Sequence, residues 1–308
     1  MRTLCALAAS LAMLGCGGKH VAGPVAPGSA ADTAPVSIRP QSVPPFVTPG
    51  ERMTFKASIH GLEMATFGIA VGEVADWKGK QAVVVQSGVQ SSQMLSILKK
   101  VDDTFATWID TTTGRPLFFR GHELSGMADP FIEDTDVDFS TAGAGKVQVD
   151  LTREDTGKAV EFQENTQEDL MDFQAFFLAL RAWDAPVGST LSADVLRSRF
   201  MWRTELKVGG FETITTELGQ LPAVRFEGVA TRLTRGGEID KTSDVRHYQI
   251  WISDDADRVP LKLVAATDYG DISMEIVDYA AGQGARLGQV WKAPATAPAA
   301  AAPAAAVR

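Results

Sequence analysis

The chain has 308 residues, of which 45% are hydrophobic, and a formal net charge of −9 at pH 7. This acidic balance argues against nucleic acid and against anionic lipid headgroups as main partners. The length leaves room for one large domain with a real core after the low-complexity ends are set aside.

The first sixteen residues, MRTLCALAASLAMLGC, have the pattern of an export signal. Arg2 supplies a short positive region, and the apolar run that follows is too short to span a bilayer. The run MLGC at 13–16 resembles the lipobox of bacterial lipoproteins, which implies cleavage before Cys16 and acylation of its thiol. An ordinary secretory signal with a chance cysteine is the alternative. The Gly17 and Gly18 that follow favour the periplasmic face of the outer membrane, with the acyl chains on Cys16 holding the protein to the membrane.

Cysteine use follows from that prediction. The chain has two cysteines; cleavage would remove Cys5, and acylation would consume Cys16. The mature protein would then have neither a thiol nucleophile nor a thiolate metal site.

The chain ends are predicted to be unstructured. Residues 16–46 are rich in Pro, Ala, Ser and Gly, which is typical of a tether, and 285–308 form an Ala/Pro-rich tail. A single β domain is predicted between them, over 47–284.

Strand patterns fill that domain in chain order. The first clear example is at 51–60, where Met53, Phe55, Ala57 and Ile59 alternate with polar residues. Similar runs predict strands at 67–71, 83–85, 105–109, 117–124, 132–139, 147–151, 160–163, 191–195, 200–208, 212–218 and 223–233. Many short strands at this spacing predict an all-β fold with two short helices, either a large curved antiparallel sheet or a partly open barrel.

The two predicted helices cover 91–100 and 168–183. The longer one has Thr166 and Asp169 spaced as a capping box, and its apolar residues recur at helical intervals. Pro186 and Gly188 follow it as stop signals.

The segment 248–279 predicts the three closing strands, with an Asp-rich turn at 254–257 and a second turn at 269–270. It contains an internal echo. The order Trp-Ile, polar turn, Arg, Pro, Leu occurs at 108–117 and, with one added residue, at 251–261. A duplication is one explanation, and a single hairpin geometry used twice is the one we favour.

These residues also carry a family likeness. Gly50-Glu51 before an alternating strand, Gly61 in the next turn, the aromatic helix ending in Leu-Arg at 180–181, and the runs ETITTELG (212–219) and WISDDADRVPLKL (251–263) resemble the domain-of-unknown-function family 3108. Ala65-Thr66 departs from the small-residue-then-Gly pattern of that family. The resemblance implies an exported protein without established chemistry. The closing strands resemble, more faintly, the half-barrel lipoprotein carriers that hold acyl chains.

Candidate catalytic and metal-binding residues do not form a motif. The sequence has no Gly-x-Ser-x-Gly elbow and no phosphate-binding glycine loop before a helix. Asp134, Asp136 and Asp138 share one face of a predicted strand, where a solvated surface is a simpler explanation than a calcium site. The histidines are scattered, at His20, His60, His122 and His247. We therefore predict no cofactor, no metal site and no catalytic residue.

The aromatic helix is the sharpest functional signal. Phe173, Phe177 and Leu180, with Trp202 from a later strand, are predicted to bound an apolar groove; plain core packing is the alternative. The first functional hypothesis is non-catalytic binding of a lipid, another apolar ligand or an envelope component. The second is an assembly role in which a sheet edge pairs with an envelope protein. An enzyme acting on cell-wall glycan or lipid is the third, disfavoured by the lack of a nucleophile or metal motif.

Overall fold

The computed structural model describes residues 37–92, 102–125, 131–165, 169–267 and 270–292. β-strands dominate this part of the chain, since apolar and polar residues alternate along it. In β2 (Arg52–Ile59), for example, Met53, Phe55, Ala57 and Ile59 are buried and the residues between them are not. The all-β prediction is therefore confirmed.

Eighteen strands, one α-helix and one short 3₁₀ helix make up the described fold. The first nine strands are β1 (Ser37–Ile38), β2 (Arg52–Ile59), β3 (Leu62–Trp77), β4 (Lys80–Ser91), β5 (Asp102–Asp110), β6 (Pro116–Ser125), β7 (Phe131–Asp138), β8 (Lys146–Arg153) and β9 (Lys158–Asn165), with the 3₁₀ helix at Ala142–Ala144. The remaining elements are β10 (Met171–Asp172), α1 (Phe173–Ala182), β11 (Trp183–Asp184), β12 (Thr190–Arg197), β13 (Phe200–Thr216), β14 (Gly219–Arg232), β15 (Arg246–Ser253), β16 (Pro260–Thr267), β17 (Gly270–Ala280) and β18 (Trp291–Lys292).

Sixteen of these strands form one sheet in the order β1-β12-β13-β14-β15-β16-β17-β2-β3-β4-β5-β6-β7-β8-β9, with β10 beside β12. Neighbours are antiparallel except that β1 and β10 each run parallel to β12. Because β17 pairs with β2, the closing strands lie directly beside the first long strand. Within the described residues β1 and β9 occupy opposite ends of this order, so the sheet is open. β11 and β18 form a separate pair.

Two predicted strands, 200–208 and 212–218, are one long strand, β13. The pairing of β13 with β14 shifts between Val208 and Gly210, the position of a β-bulge. A Cβ at Gly209 would lie 2.8 Å from Glu227 Oε1, so a larger residue would push that side chain aside. The bulge lets the strand continue through a glycine pair that the sequence pattern indicated as a break.

The predicted helix starts too early. α1 begins at Phe173, not at residue 168, because Met171 and Asp172 pair with β12 as strand β10. Asp172 is the residue that caps the helix, and Asp169 lies in the turn before it. The other predicted helix, at 91–100, and Thr166 of the predicted capping box fall largely or wholly outside the described residues.

The packed region extends past both predicted boundaries of the domain. Ser37–Ile38 pairs with β12, and Phe46 is only 2% exposed, although both lie in the predicted tether. Trp291, in the predicted tail, is 7% exposed and pairs with Trp183 in register. Apolar side chains at these places make contacts that the Pro- and Ala-rich composition around them conceals.

The buried apolar side chains form two clusters on the same sheet. The larger lies under α1 and the strands from β12 through β17 to β4, and the smaller involves β5 to β8 and the β12–β13 hairpin. Phe173, the first residue of α1, packs against both clusters. The start of the helix therefore lies at the junction of the two clusters.

Candidate functional site

The N-terminal end of α1 is fixed by a buried polar group. Asp172 Oδ1 accepts hydrogen bonds from the backbone N–H of Gln174 at 2.8 Å and of Ala175 at 3.2 Å. Thr107 Oγ1 of β5 donates to the same oxygen at 3.0 Å, and Gln174 Nε2 donates to Thr107 Oγ1 at 2.9 Å. Burial raises the pKa of Asp172 to about 6, although these hydrogen bonds act in the opposite direction.

The C-terminal end of α1 is held by a buried ion pair. Arg181, which is 0% exposed, donates to both carboxylate oxygens of Glu51, at 3.0 and 2.6 Å. It also donates to the backbone carbonyls of Arg258 at 3.0 Å and Asp257 at 2.9 Å. The Tyr279 hydroxyl donates to Glu51 at 3.1 Å. Residues from four separate parts of the sequence thus fix one helix end.

Between these two ends, α1 covers an apolar cavity on the inner face of the sheet. Its volume is about 130 Å³, close to that of an engineered cavity of about 150 Å³ that binds benzene. The lining is largely aliphatic and aromatic and comes from α1 and from strands between β2 and β17. The apolar lining residues are Phe55, Phe67, Ile69, Val85, Val89, Phe105, Phe173, Phe176, Phe177, Leu178, Val195, Trp202, Ala230, Ile250, Pro260, Leu263, Ala265, Ala266 and Met274.

The structure separates the predicted groove residues into two groups. Phe173, Phe177 and Trp202 line the cavity. Leu180 is not part of the lining; it is 1% exposed and belongs to the larger core cluster. Leu180 lies one turn along the helix from Phe176 and Phe177, and its side chain packs within that core instead of beside the cavity. Cys16, the predicted lipidation site, lies outside the described residues.

Polar atoms without hydrogen-bond partners also line the cavity. They are Ser87 Oγ, Gln174 Oε1 and Trp202 Nε1, which have no partner among the described residues. Their side chains are 6%, 4% and 3% exposed, respectively. Buried polar atoms are normally satisfied, so three such atoms around one cavity suggest that water or a ligand completes them. Sequence reasoning missed Ser87 and Gln174. A signal existed for Ser87, since it takes the inward position between Val85 and Val89 on β4 and so places a hydroxyl on an apolar face.

The charged side chains that line the cavity are all basic: Arg197, Arg246 and Lys262. Arg197 pairs with Glu123 at 3.0 Å, and its guanidinium lies 4.7 Å from the ring centre of Phe105. Lys262 pairs with Glu275 at 3.4 Å. None of the described lining residues is Asp or Glu, in a chain whose overall charge is negative.

The predicted acidic strand face does not converge on one point. Asp136 binds Arg120 at 2.7 Å, and Asp138 lies 3.7 Å from Lys78 Nζ. Asp134 lies 2.8 Å from His122 Nδ1, and Glu154 lies 4.0 Å from the same nitrogen. Those last three residues are the group within the described chain that could hold a metal ion, but each side chain is more than 40% exposed. The pairing fits a solvated outer face crossed by ion pairs.

The two echoed hairpins share a geometry. In β5–β6 the pairing shifts between Trp108 and Ile109, and in β15–β16 it shifts between Trp251 and Ile252. In each turn an aspartate, at 110 or 255, accepts two backbone N–H bonds. The shared features are expected both of a duplication and of one hairpin geometry used twice.

The arginine of each hairpin binds backbone carbonyls of the segment that contains α1. Arg115 donates to the carbonyl of Asp169 at 2.8 Å, just before the helix. Arg258 donates to the carbonyls of Arg181 and Trp183, at the helix end, the latter at 2.7 Å. The two similar hairpins, β5–β6 and β15–β16, therefore place one arginine at each end of the helical segment.

No helix among the described residues has both the length and the apolar character needed to cross a membrane. No curated protein matches the sequence.

Among solved structures, the chain is similar to a beta-barrel-like protein of domain of unknown function DUF1849 from Brucella abortus. The TM-score is 0.49 and the identity 8%, and the match covers 78% of this chain and 100% of that one. It is also similar to the hypothetical lipoprotein YmcC from Escherichia coli, with a TM-score of 0.28, 9% identity and coverage of 75% and 84%.

A family model described as "Protein of unknown function (DUF3108)" matches residues 52–277. This range runs from the start of β2 into β17 and contains α1 and all the residues that line the cavity. Glu51 and Tyr279, which support the C-terminal end of α1, lie just outside it. The prediction drawn from the sequence motifs is confirmed: the chain belongs to the DUF3108 family.

Proposed function

We propose that this protein is a lipid-anchored protein of the cell envelope that binds a small apolar ligand in the cavity under α1. The observation that carries the proposal is the cavity itself, an apolar space lined by 26 residues beneath a helix that is fixed at both ends. Close packing is the rule in protein interiors, and a space of this size loses contacts unless something fills it.

The size of the cavity limits the ligand. At about 130 Å³ it is smaller than the usual range of about 300–1,000 Å³ for ligand pockets. A slender chain or a single ring fits the space as it stands. A longer acyl chain, or a probe with several rings such as phenylnaphthylamine, would require Phe173 and Phe177, which are only partly buried, to move outward.

The anchor belongs to the same proposal. Acylation of Cys16 would hold the domain at the periplasmic face of the outer membrane, close to a supply of apolar molecules. Intact-mass spectrometry of the mature protein tests this part. A mass that fits cleavage before Cys16 plus acyl groups supports the anchor, and an unmodified cysteine or another cleavage site contradicts it.

A cavity-filling substitution tests ligand binding. Val85 is 1% exposed and lines the cavity, so Val85→Phe should reduce binding of the neutral fluorescent probe phenylnaphthylamine at least about tenfold. The matched control is Val84→Phe, at the neighbouring residue on the opposite face of β4, which should leave probe binding unchanged. Equal probe binding in both variants and the wild type would contradict the cavity as the binding site.

An assembly role is the second candidate, favoured by the open sheet. Within the described chain, β9 pairs with β8 alone, so its other edge presents backbone groups to which a strand can be added. Organic extraction of protein purified from envelopes separates the two candidates. Recovered lipid supports the ligand-binding function, and extracts without lipid favour assembly through the sheet edge.

A further inference from the structure

We propose that the ligand of this cavity is a single-chain amphiphile with an anionic head, bound with its head beside Arg246 and its chain running along β15. This inference rests on the proposed function and names the ligand class for the same cavity. Two features carry it: the sign of every charge in the lining, and the position of the polar groups at one end.

The polar end is defined by strand register. Thr204, Ala230 and Arg246 pair in direct succession across β13, β14 and β15, so their side chains share one face. Trp202 is two residues from Thr204 on that face, and all four residues line the cavity. Trp202 Nε1 is a buried donor without a partner among the described residues, so it calls for an acceptor atom.

The apolar end lies further along the same strands. Ile250 is on the face of Arg246, four residues on, which at about 3.4 Å per residue places it about 14 Å away. Ile250, Leu263 and Met274 pair in succession across β15, β16 and β17, and all three line the cavity. The cavity thus has Arg246, Thr204 and Trp202 at one end. At the other end it has aliphatic side chains beside Lys262, whose charge pairs with Glu275.

Charge decides the nature of the head. Arg197 also belongs to the polar end and is compensated by Glu123, which does not line the cavity. A cationic head would meet two buried guanidinium groups with no acidic residue in the described lining. An anionic head would be attracted to Arg246 and could accept a hydrogen bond from Trp202 Nε1. Gln174 Oε1 is an acceptor, so it would bind a water molecule or a ligand hydroxyl rather than the anion.

A displacement series with one chain length tests the inference. Octanoate, octyl phosphate and octanol compete with phenylnaphthylamine, at a pH at which octanoate is ionised. At least one of the two anions should displace the probe at a concentration at least about tenfold below that of octanol. The comparison of octanoate with octyl phosphate shows whether the head is a carboxylate or a phosphate.

Arg246→Met removes the charge and keeps an unbranched side chain. In this variant the anions should lose their advantage, and octanol should displace the probe as in the wild type, which also shows that the cavity is intact. Arg225→Met is the matched control, because Arg225 is on β14 outside the lining and pairs with Glu227 at 3.1 Å. It should change nothing.

The outcomes separate the two proposals. If octanol displaces the probe as well as both anions do, or if Arg246→Met leaves the anion advantage intact, the inference about the head is wrong and the apolar cavity function stands. If neither the probe nor octanol, followed directly by calorimetry, binds the wild-type protein, the proposed function itself fails.

Discussion

The two Arg-Pro hairpins support the two ends of the same helical segment, but with different degrees of burial. Arg258, in the β15–β16 hairpin, is 6% exposed and lies beside the buried Arg181–Glu51 pair. Arg115, in the β5–β6 hairpin, is only partly buried and binds the turn that precedes α1. The arginine support of the C-terminal end of the helix is therefore part of a network of buried charges, whereas the N-terminal end, beside the cavity, is capped by the buried Asp172 and has a partly buried arginine. Phe173 and Phe177 are the partly buried side chains of α1 that line the cavity, so we expect these side chains to move if a ligand requires more space.

The largest expected effect comes from breaking the tighter end. Arg181→Met leaves Glu51 buried at 2% exposure without its cation, and removal of one partner of a buried pair costs about 3–5 kcal/mol. Urea unfolding followed by circular dichroism measures the loss. Arg286→Met, at a partly exposed pair with Asp257, is the control and should cost about 1 kcal/mol or less. A loss at Arg181 no larger than that of the control would show that the network does not hold the helix.

The two hairpin arginines allow a direct comparison. Each donates charged hydrogen bonds to backbone carbonyls, a type of bond worth about 1.5–3 kcal/mol. Arg258→Met should lower the free energy of unfolding by about 3 kcal/mol or slightly more. The carbonyls of Arg181 and Trp183 then lose their hydrogen-bond donor at a site that water does not reach. Arg115→Met should cost less, since solvent can reach this partly exposed site. Equal losses in urea unfolding, or a larger loss at Arg115, would remove the contrast between the two ends.

Phe177 tests whether the helix above the cavity acts as a ligand-binding wall. Phe177→Asp should lower uptake of a fluorescent fatty acid at least about tenfold while the protein stays folded, because this side chain is only partly buried. Leu180→Ala is the opposite case and should cost about 2–5 kcal/mol with uptake unchanged, since Leu180 belongs to the core. Global unfolding of Phe177→Asp by circular dichroism would instead identify Phe177 as plain core.

The smallest effect is a pH dependence at the N-terminal end. The pKa of Asp172 is raised to about 6, above the usual value of about 4 for an unfolded chain. The folded state thus binds this proton more tightly than the unfolded chain does. The contribution of Asp172 to the free energy of unfolding is therefore fully present below about pH 4, and it is lost as the pH rises through about 6. Asp172→Asn keeps an oxygen that can cap the helix.

The unfolding free energy of Asp172→Asn should therefore fall less between pH 4 and pH 7 than that of the wild type, by on the order of 2 kcal/mol. Part of the slope should remain, because burial also raises the pKa of Asp103 to about 6. Identical slopes in urea unfolding at the two pH values would show that Asp172 is not the group that titrates.

Local patterns predicted most of the strands and three of the residues that line the cavity. Alternation along a strand needs only the residue types, so β2 and the closing strands were predicted close to their observed bounds. The start of α1 was missed, because Met171 and Asp172 pair with β12, which is distant in sequence. Phe173, Phe177 and Trp202 were assigned to the cavity from the aromatic pattern, but Leu180 has the same helical spacing and lies in the core.

The sequence by itself determined which strand residues face inward, because apolar and polar side chains alternate along a half-buried strand and the apolar ones are buried. It also determined family membership, through motifs such as Glu51, Arg181 and the turn at 254–258. Only the tertiary structure decided that these motifs meet. Strand order places β17 against β2, which brings Tyr279 to Glu51 across 228 residues of sequence. Such contacts depend on which strands become neighbours, and the alternation of a strand is the same beside any partner.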